Sequence, residues 1–216
     1  MLPRSVQVIK NSKESRFVAA LFVSVCLIGL VGCRPARKTV SLSGTEEWRD
    51  GDLVLRCGWG AESRLVVKRG KSPYSHIGLL HKDSASGGWQ VVHAVPGEDE
   101  PEYLKAEPVT LFFSAERAKC GAWLRVRCSD SVARKAVLYA LGKVQEKVLF
   151  DNDYLLADSS SLYCTELVWR AFITQGIDVT AGHRHEVPTI FSKEGEAIFP
   201  SDIEQSETTL FVKPFN

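Results

Sequence analysis

Hydrophobic and polar positions predict four strands along the chain. The segments DGDLVLRC, HIGLLHK and WQVVHAV are short, aliphatic and bounded by turn-forming residues, which predicts three β-strands, the first from about Asp52. DSASGG separates the second segment from the third, so these two are predicted to form a β-hairpin. ETTLFVKPF predicts a strand at the end of the domain.

Two other segments carry apolar residues at helical spacing. SVARKAVLYALGKVQEKVLF predicts the longest helix, and a second helix is predicted to start near Tyr163. The second helix places five side chains on one face: Cys164, Leu167, Val168, Ala171 and Phe172. Cys164 is therefore predicted in the first turn, on the buried side. Strands mixed with a few helices, without regular alternation, predict an α+β domain with an antiparallel sheet packed against helices.

The N-terminal segment follows a different pattern. Basic residues precede the apolar run FVAALFVSVCLIGLV, which at about fifteen residues is shorter than a membrane-spanning helix of roughly twenty. The run ends at LVGC, which resembles the cleavage box of bacterial lipoproteins and marks Cys33 for lipidation. A plain signal peptide or a short anchor is the alternative. We predict a lipoprotein signal peptide over 1–33, a spacer over 34–45 and a folded domain over 46–216.

The predicted anchor and the charge of the chain bear on location and partners. Lipidated Cys33 would tether the domain to a membrane of the bacterial cell envelope. Arg34 stands where an aspartate would resemble an inner-membrane retention signal, which favours the periplasmic side of the outer membrane in a cell with two membranes. The signal segment holds four basic residues and one acidic residue, so its removal takes the net charge from +1 to about −2. Without basic blocks, no nucleic-acid partner is predicted.

The remaining cysteines leave one pairing question open. Outside the signal segment they are Cys57, Cys120, Cys128 and Cys164. A disulfide among the first three is compatible with an oxidising compartment, and the sequence does not select the pair. No Cys-x-x-Cys spacing occurs, so a structural zinc site has almost no support.

Two histidines in AGHRHEVP lie close together in the sequence. His183 and His185 have a spacing that suits a metal, but no cysteine or carboxylate cluster accompanies them, which favours a polar surface loop. No metal or cofactor is therefore predicted.

Cys164 becomes a candidate nucleophile if a histidine lies beside it. A helix N-terminus and a nearby imidazolium both lower the pKa of a thiol. If the predicted hairpin turns between Ser84 and Ala85, His76 and His93 lie directly opposite, with Cβ atoms about 5 Å apart. One imidazole could then orient the other, whereas a one-residue slip would place them on opposite faces. In the alternative interpretation, Cys164 is a packing residue and each histidine is an ordinary strand residue.

Several motifs occur in a recognisable order: DGDLVL, SPYSHIGLL, WQVVHAVPG, FDNDYLL, LYCTELVWRAF and FPSDI. Together they resemble the circularly permuted papain-like amidases of the YaeF/YiiX type (YiiX/YebB-like), distant relatives of NlpC-type cell-wall peptidases, over most of the predicted mature chain. The resemblance implies a circularly permuted papain-like (NlpC-like) fold, in which the histidine precedes the cysteine. It also implies Cys164 as nucleophile, His76 as general base and acid, and His93 as the residue that orients His76.

The chain departs from the family pattern at one of these positions. Where the family often has an acidic residue, this chain has VVHA, and a neutral histidine supports the base less strongly than a carboxylate. Asp52, Tyr74 and Tyr163 are further candidates for shaping the site, with purely structural roles as the alternative.

The resemblance implies a lipid-anchored thiol hydrolase. Such an enzyme would cleave an amide bond in a small substrate, such as a cell-envelope peptide, through a thioester intermediate. One alternative is a lipid-directed acyl hydrolase or acyltransferase with the same nucleophile. The other is a ligand-binding lipoprotein without catalysis, which the histidine at position 93 keeps open.

Overall fold

The computed structural model describes residues 36–97, 100–188 and 195–216. Residues 37–216 form one compact unit. The predicted signal peptide 1–33 and its lipidation site Cys33 lie outside the described residues. Within the described part of the chain, no helix is both long enough and apolar enough to cross a bilayer.

Strands and helices alternate irregularly along the domain. The strands are β1 Leu53–Arg56, β2 His76–Lys82, β3 Trp89–His93, β4 Lys105–Pro108, β5 Gly121–Val126, β6 His185–Glu186, β7 Glu196–Ala197 and β8 Thr209–Phe215. The helices are α1 Ala61–Gly70, α2 Val109–Phe112, α3 Asp130–Gln145, α4 Cys164–Ile173 and α5 Pro200–Glu204, preceded by a short 3-10 helix at Thr45–Glu47.

The main sheet has the strand order β4-β3-β2-β1-β5-β8, and every neighbouring pair is antiparallel. β6 and β7 form a separate two-stranded ribbon. The predicted hairpin is confirmed as β2 and β3. The prediction of an α+β domain with an antiparallel sheet packed against helices is also confirmed.

Alternation along the strands gives the sheet two apolar faces, because successive side chains point to opposite sides. Leu55, Ile77 and Leu79 lie in the larger cluster with residues of α3 and α4. Val54 and Leu80 lie in the second cluster, which contains a set of large aromatic side chains: Trp48, Phe112, Phe113, Trp123 and Phe215. The sheet is thus covered on both faces.

The two ends of the packed domain meet. Val40 is buried in the second cluster, and the amide of Ser41 donates a 2.9 Å hydrogen bond to the carbonyl of Asn216. Part of the predicted spacer 34–45 therefore belongs to the packed structure. Val40 and Leu42, which also packs against this cluster, are too short an apolar alternation to have shown this in the sequence.

Candidate active site

A cavity of about 620 Å³ opens at the start of α4. Cys164, His76 and Tyr163 all line it. Most of the wall is apolar and includes Trp59, Leu65, Val66, Val95, Phe150, Val187, Ile198 and Phe199. The cavity therefore combines a thiol and an imidazole with a surface that excludes water from an apolar substrate group.

Cys164 is the first residue of α4, as predicted. Tyr163 precedes it in extended conformation and provides no side-chain cap for the helix. The sulfur instead accepts hydrogen bonds from the amide of Ile77, the residue after His76, and from the amide of Thr165. These contacts join the start of α4 to the start of β2.

The pKa of Cys164 differs from the sequence expectation. Burial raises it to about 11, although the surrounding amides lower it. The expectation of a lowered pKa is wrong because desolvation of the thiolate outweighs the helix N-terminus and hydrogen bonds. The resting group is therefore a neutral thiol, and its reaction at neutral pH requires a base.

His76 and His93 form a hydrogen-bonded pair, but not by the predicted register. The strands pair Leu79 with Val92 and Lys82 with Trp89, a shift of two residues from a turn between Ser84 and Ala85. A two-residue shift preserves the face, so the histidines are diagonal neighbours. Nε2 of His76 lies 2.9 Å from Nδ1 of His93.

Gly78 provides the space for this diagonal contact. It lies between the two histidines on the same strand face, and a Cβ atom there would stand 2.4 Å from Cγ1 of Val91 and 3.1 Å from Cβ of His93. Both separations are shorter than ordinary van der Waals contact. The absence of a side chain at Gly78 therefore lets His93 reach across to His76.

We expect Gly78→Ala to separate the histidine pair. The added methyl group must displace Val91 or His93, at a cost of about 1–3 kcal/mol in the free energy of unfolding. Urea denaturation would measure that loss, and the NMR signals of the ring nitrogens would report the hydrogen bond. Gly142→Ala is the matched control, because a Cβ atom at Gly142 has no heavy atom within 4 Å. An unchanged hydrogen-bond signal in Gly78→Ala would contradict this account.

A carboxylate lies beside His93, at the ring nitrogen that does not face His76. Oε1 of Glu107 on β4 lies 3.2 Å from Nε2 of His93, and Nη1 of Arg117 donates to both carboxylate oxygens at 2.8 and 2.7 Å. Glu107 is 5 % exposed. Burial raises its pKa, but hydrogen bonds and charge interactions with His93 and Arg117 prevail and lower it to about 2. Glu107 is thus ionised at neutral pH.

The carboxylate fixes the tautomers of both histidines. Because an ionised carboxylate only accepts, Nε2 of His93 carries the proton that faces Glu107. Nδ1 of neutral His93 is then an acceptor, so Nε2 of His76 donates to it. The proton-accepting nitrogen of neutral His76 is consequently Nδ1.

His76 is poised as a neutral base. Burial lowers the pKa of its imidazole well below the ordinary value, and positive charge on Arg56 and Lys105 lowers it further, as would a protonated His93. The side chain of Arg56 is itself buried and lies over the Phe112 ring at 4.4 Å. His76 therefore remains unprotonated at neutral pH.

The three predicted site-shaping residues lie in different places. Tyr163 lines the cavity, where its hydroxyl accepts a 3.1 Å hydrogen bond from the amide of Ile198. Asp52 is not among the cavity-lining residues, and its carboxylate accepts bonds of 2.8 and 2.6 Å from Arg125 on β5. Tyr74 is also absent from the described lining, and its ring faces that of Phe211 at 6.5 Å. Asp52 and Tyr74 therefore contact other parts of the fold and do not line the cavity.

Two candidate functional residues, Glu107 and Tyr154, were not predicted from the sequence. Glu107 lies in KAEP, a strand too short to show alternation. Tyr154 lies in the quoted motif FDNDYLL and lines the cavity. Its backbone has a left-handed φ of 53°, and burial followed by the nearby Cys164 raises its hydroxyl pKa. Tyr154 therefore presents a protonated hydroxyl to the region of the thiol.

His183 and His185 have partners other than the histidine pair. Nδ1 of His183 is 2.8 Å from the Thr180 carbonyl, and Nε2 of His185 is 2.8 Å from Oδ1 of Asp202. Across residues 36–97, 100–188 and 195–216, no group of three or more His, Cys, Asp or Glu side chains has an arrangement that could hold a metal ion.

Comparison with known proteins identifies a shared fold. No protein-family model and no curated protein sequence matches the chain. A solved structure described as the metalloprotein YiiX from Escherichia coli O157:H7, DUF1105, matches with a TM-score of 0.61 and 16 % sequence identity. The match covers 76 % of this chain and 96 % of that one. The predicted resemblance to a YiiX-type protein is confirmed at the level of the fold.

Proposed function

We propose that the domain is a thiol hydrolase that uses Cys164 as nucleophile, His76 as base and His93 as the residue orienting His76. One observation carries the proposal: the 2.9 Å His76–His93 hydrogen bond lies at the cavity that His76 shares with Cys164. A packing role would not require Cys164 and His76 to line the same cavity, nor two histidine ring nitrogens at hydrogen-bond distance.

The proposed reaction begins with a neutral pair. Nδ1 of His76 takes the thiol proton as the Cys164 sulfur attacks the substrate carbonyl carbon. The resulting imidazolium donates its proton to the leaving group, which departs as the thioester forms. Water, deprotonated by His76, then attacks the thioester and releases the acid and the thiol.

Neighbouring groups stabilise the charge that develops during the proposed reaction. The amide of Cys164 and the protonated hydroxyl of Tyr154 are the proposed donors to the carbonyl oxygen in the tetrahedral intermediate. Through His93, the Glu107 carboxylate stabilises the transient positive charge on His76. Glu107 thus supplies the negative charge that the family often places directly beside the base.

The permuted papain-like fold is part of the proposal. In the described chain His76 starts a strand of the antiparallel sheet, and Cys164 starts a helix that packs against the same sheet. This pairing of a strand histidine with a cysteine at a helix start is what the sequence resemblance implies. The chain order, with His76 before Cys164, corresponds to the permuted arrangement.

We place the enzyme in the bacterial cell envelope, tethered through lipidated Cys33 to the periplasmic side of the outer membrane where the cell has one. Small amide-containing substrates, including envelope peptides, are the first candidate class. The apolar wall favours a second class, acyl esters or amides with a hydrocarbon chain, because it can desolvate that chain.

Trapping of the acyl-enzyme tests the proposal. The protein would be mixed with p-nitrophenyl esters and p-nitroanilides, both as short peptidyl compounds and as acyl chains of increasing length. Mass spectrometry of the quenched protein is expected to show the acyl mass on the Cys164 peptide, removable by hydroxylamine as a thioester is. Peptidyl preference supports the first class, and a rate that rises with chain length supports the second.

Cys164→Ser and Cys128→Ser provide the controls. The first should lose the hydroxylamine-labile adduct, while the second should retain it, because Cys128 is a half-buried thiol that does not line the cavity. Absence of a Cys164 adduct with every compound, in protein whose circular dichroism shows the native fold, would favour the ligand-binding alternative instead.

A further inference from the structure

Two cysteines outside the proposed catalytic set lie side by side. Cys57 follows the last residue of β1 and Cys120 precedes the first residue of β5, which are neighbouring strands. The Arg56–Gly121 pair continues to these positions, and the amide of Cys57 donates a 3.0 Å hydrogen bond to the carbonyl of Cys120. Cross-strand neighbours at this position have Cβ atoms about 4.5–5.5 Å apart.

The two thiols also contact each other. A side-chain hydrogen bond joins Cys120 to Cys57, and both side chains are half-buried. Burial, together with this neighbouring thiol, raises the pKa of Cys120. Cys128 is also half-buried, and burial raises the pKa of its thiol. The residues that further affect this pKa are Arg49, Asp130, Asp52 and Ala133, and none of them is a cysteine.

We infer that Cys57 and Cys120 are an oxidisable pair that forms a cross-strand disulfide, with Cys128 and Cys164 left as thiols. The oxidant is a small-molecule disulfide of the cell envelope. One cysteine thiolate attacks the oxidant disulfide and releases the first thiol, which leaves a mixed disulfide on the protein. The second thiolate then displaces the other oxidant sulfur, so two protein thiols become one disulfide and the oxidant becomes two thiols.

A disulfide between Cys57 and Cys120 would lie next to the wall of the cavity. Cys57 lies between Arg56 and Gly58, both of which line the cavity, and Trp59 follows in the same wall. Lys119, the neighbour of Cys120, places its Nζ 5.0 Å from the centre of the Trp59 ring. A Cys57–Cys120 bond therefore ties the wall segment that holds Arg56, Gly58 and Trp59 to the neighbouring strand start, where Lys119 lies over the Trp59 ring. The closed loop contains β2, β3 and β4, which carry both histidines and Glu107.

Peptide mapping of the full chain tests the inference. The protein, carrying Cys164→Ala so that the proposed nucleophile cannot exchange disulfides, would be equilibrated with glutathione disulfide and then alkylated. We expect a linked Cys57–Cys120 peptide and an alkylated Cys128. Oxidation should raise Tm by about 5–15 °C, because the cross-link restricts the unfolded chain.

Matched variants make the result decisive. Cys57→Ser should abolish both the linked peptide and the rise in Tm, whereas Cys128→Ser should preserve both. Glutathione on each cysteine separately, a link involving Cys128, or equal Tm values for oxidised and reduced protein would overturn the inference. None of these outcomes depends on acyl-enzyme formation at Cys164, so the inference stands or fails apart from the proposed function.

Discussion

His76→Ala is expected to lower the rate of Cys164 alkylation at pH 7 by about 10²- to 10⁴-fold. The pKa of the Cys164 thiol is about 11, so it ionises very little at neutral pH unless a base removes its proton. Iodoacetamide labelling followed by peptide mass spectrometry would give the rate. In the same samples Cys128 serves as the internal reference for a thiol outside the cavity.

The pH dependence separates a base from a packing residue. Because the pKa of His76 is lowered well below its ordinary value, the wild-type rate should persist below pH 6.5 and fall only when the imidazole becomes protonated. The His76→Ala rate should instead rise continuously toward pH 11. His185→Ala is the control, since His185 pairs with Asp202 and is not among the residues lining the cavity. Parallel pH profiles for wild type and His76→Ala would show that His76 does not act on the thiol.

Glu107→Gln is expected to slow Cys164 alkylation by about 10- to 100-fold and to destabilise the fold. The substitution keeps the shape and a hydrogen-bond acceptor but removes the charge beside His93 and Arg117. Leaving Arg117 without its partly buried ion-pair partner costs about 3 kcal/mol, the lower end of the range for broken buried pairs. Urea denaturation at pH 7 would measure this loss.

The stability of the fold at acid pH tests the role of the negative charge on Glu107. The pKa of Glu107 is about 2 in the folded protein and lies near 4.5 for an ordinary glutamate, so its stabilisation is complete above about pH 4.5 and is lost as the pH falls toward 2. Glu107→Gln should lack this component. Glu46→Gln, at an exposed position in the 3-10 helix, should behave as wild type. If Glu107→Gln showed the wild-type alkylation rate and the wild-type stability in acid, Glu107 would have no role in supporting His76 through His93.

The sequence predicted that His76 and His93 lie on one face of the sheet, but it did not predict the register between their strands. Alternation in HIGLLHK and WQVVHAV assigns His76 and His93 to strands, and strand parity keeps them on one face after an even shift. The predicted register is wrong because of the turn position: Lys82 pairs with Trp89, so the turn between β2 and β3 is centred one residue later than predicted. Turn geometry depends on local hydrogen bonds, such as those from Ala85 and Ser86 to Asp83, which composition alone does not fix.

The electrostatics of the site depended on packing that the sequence does not encode locally. The position of Cys164 at a helix start followed from apolar spacing, but its raised pKa follows from burial by segments distant in the chain. Glu107 reaches His93 only because β4 pairs with β3 at the sheet edge. KAEP carries too few residues for its periodicity to predict that pairing.

Because a hydrogen bond joins Ser41 to Asn216, the order of the proposed catalytic residues along the chain depends on where the backbone is open. A short peptide across this junction would close the domain into a ring with little change in the sheet. Opening such a ring in the exposed turn 83–88 would place Cys164 ahead of His76 along the chain while each side chain kept its strand or helix. Geometry at the thiol is thus independent of which residue is synthesised first.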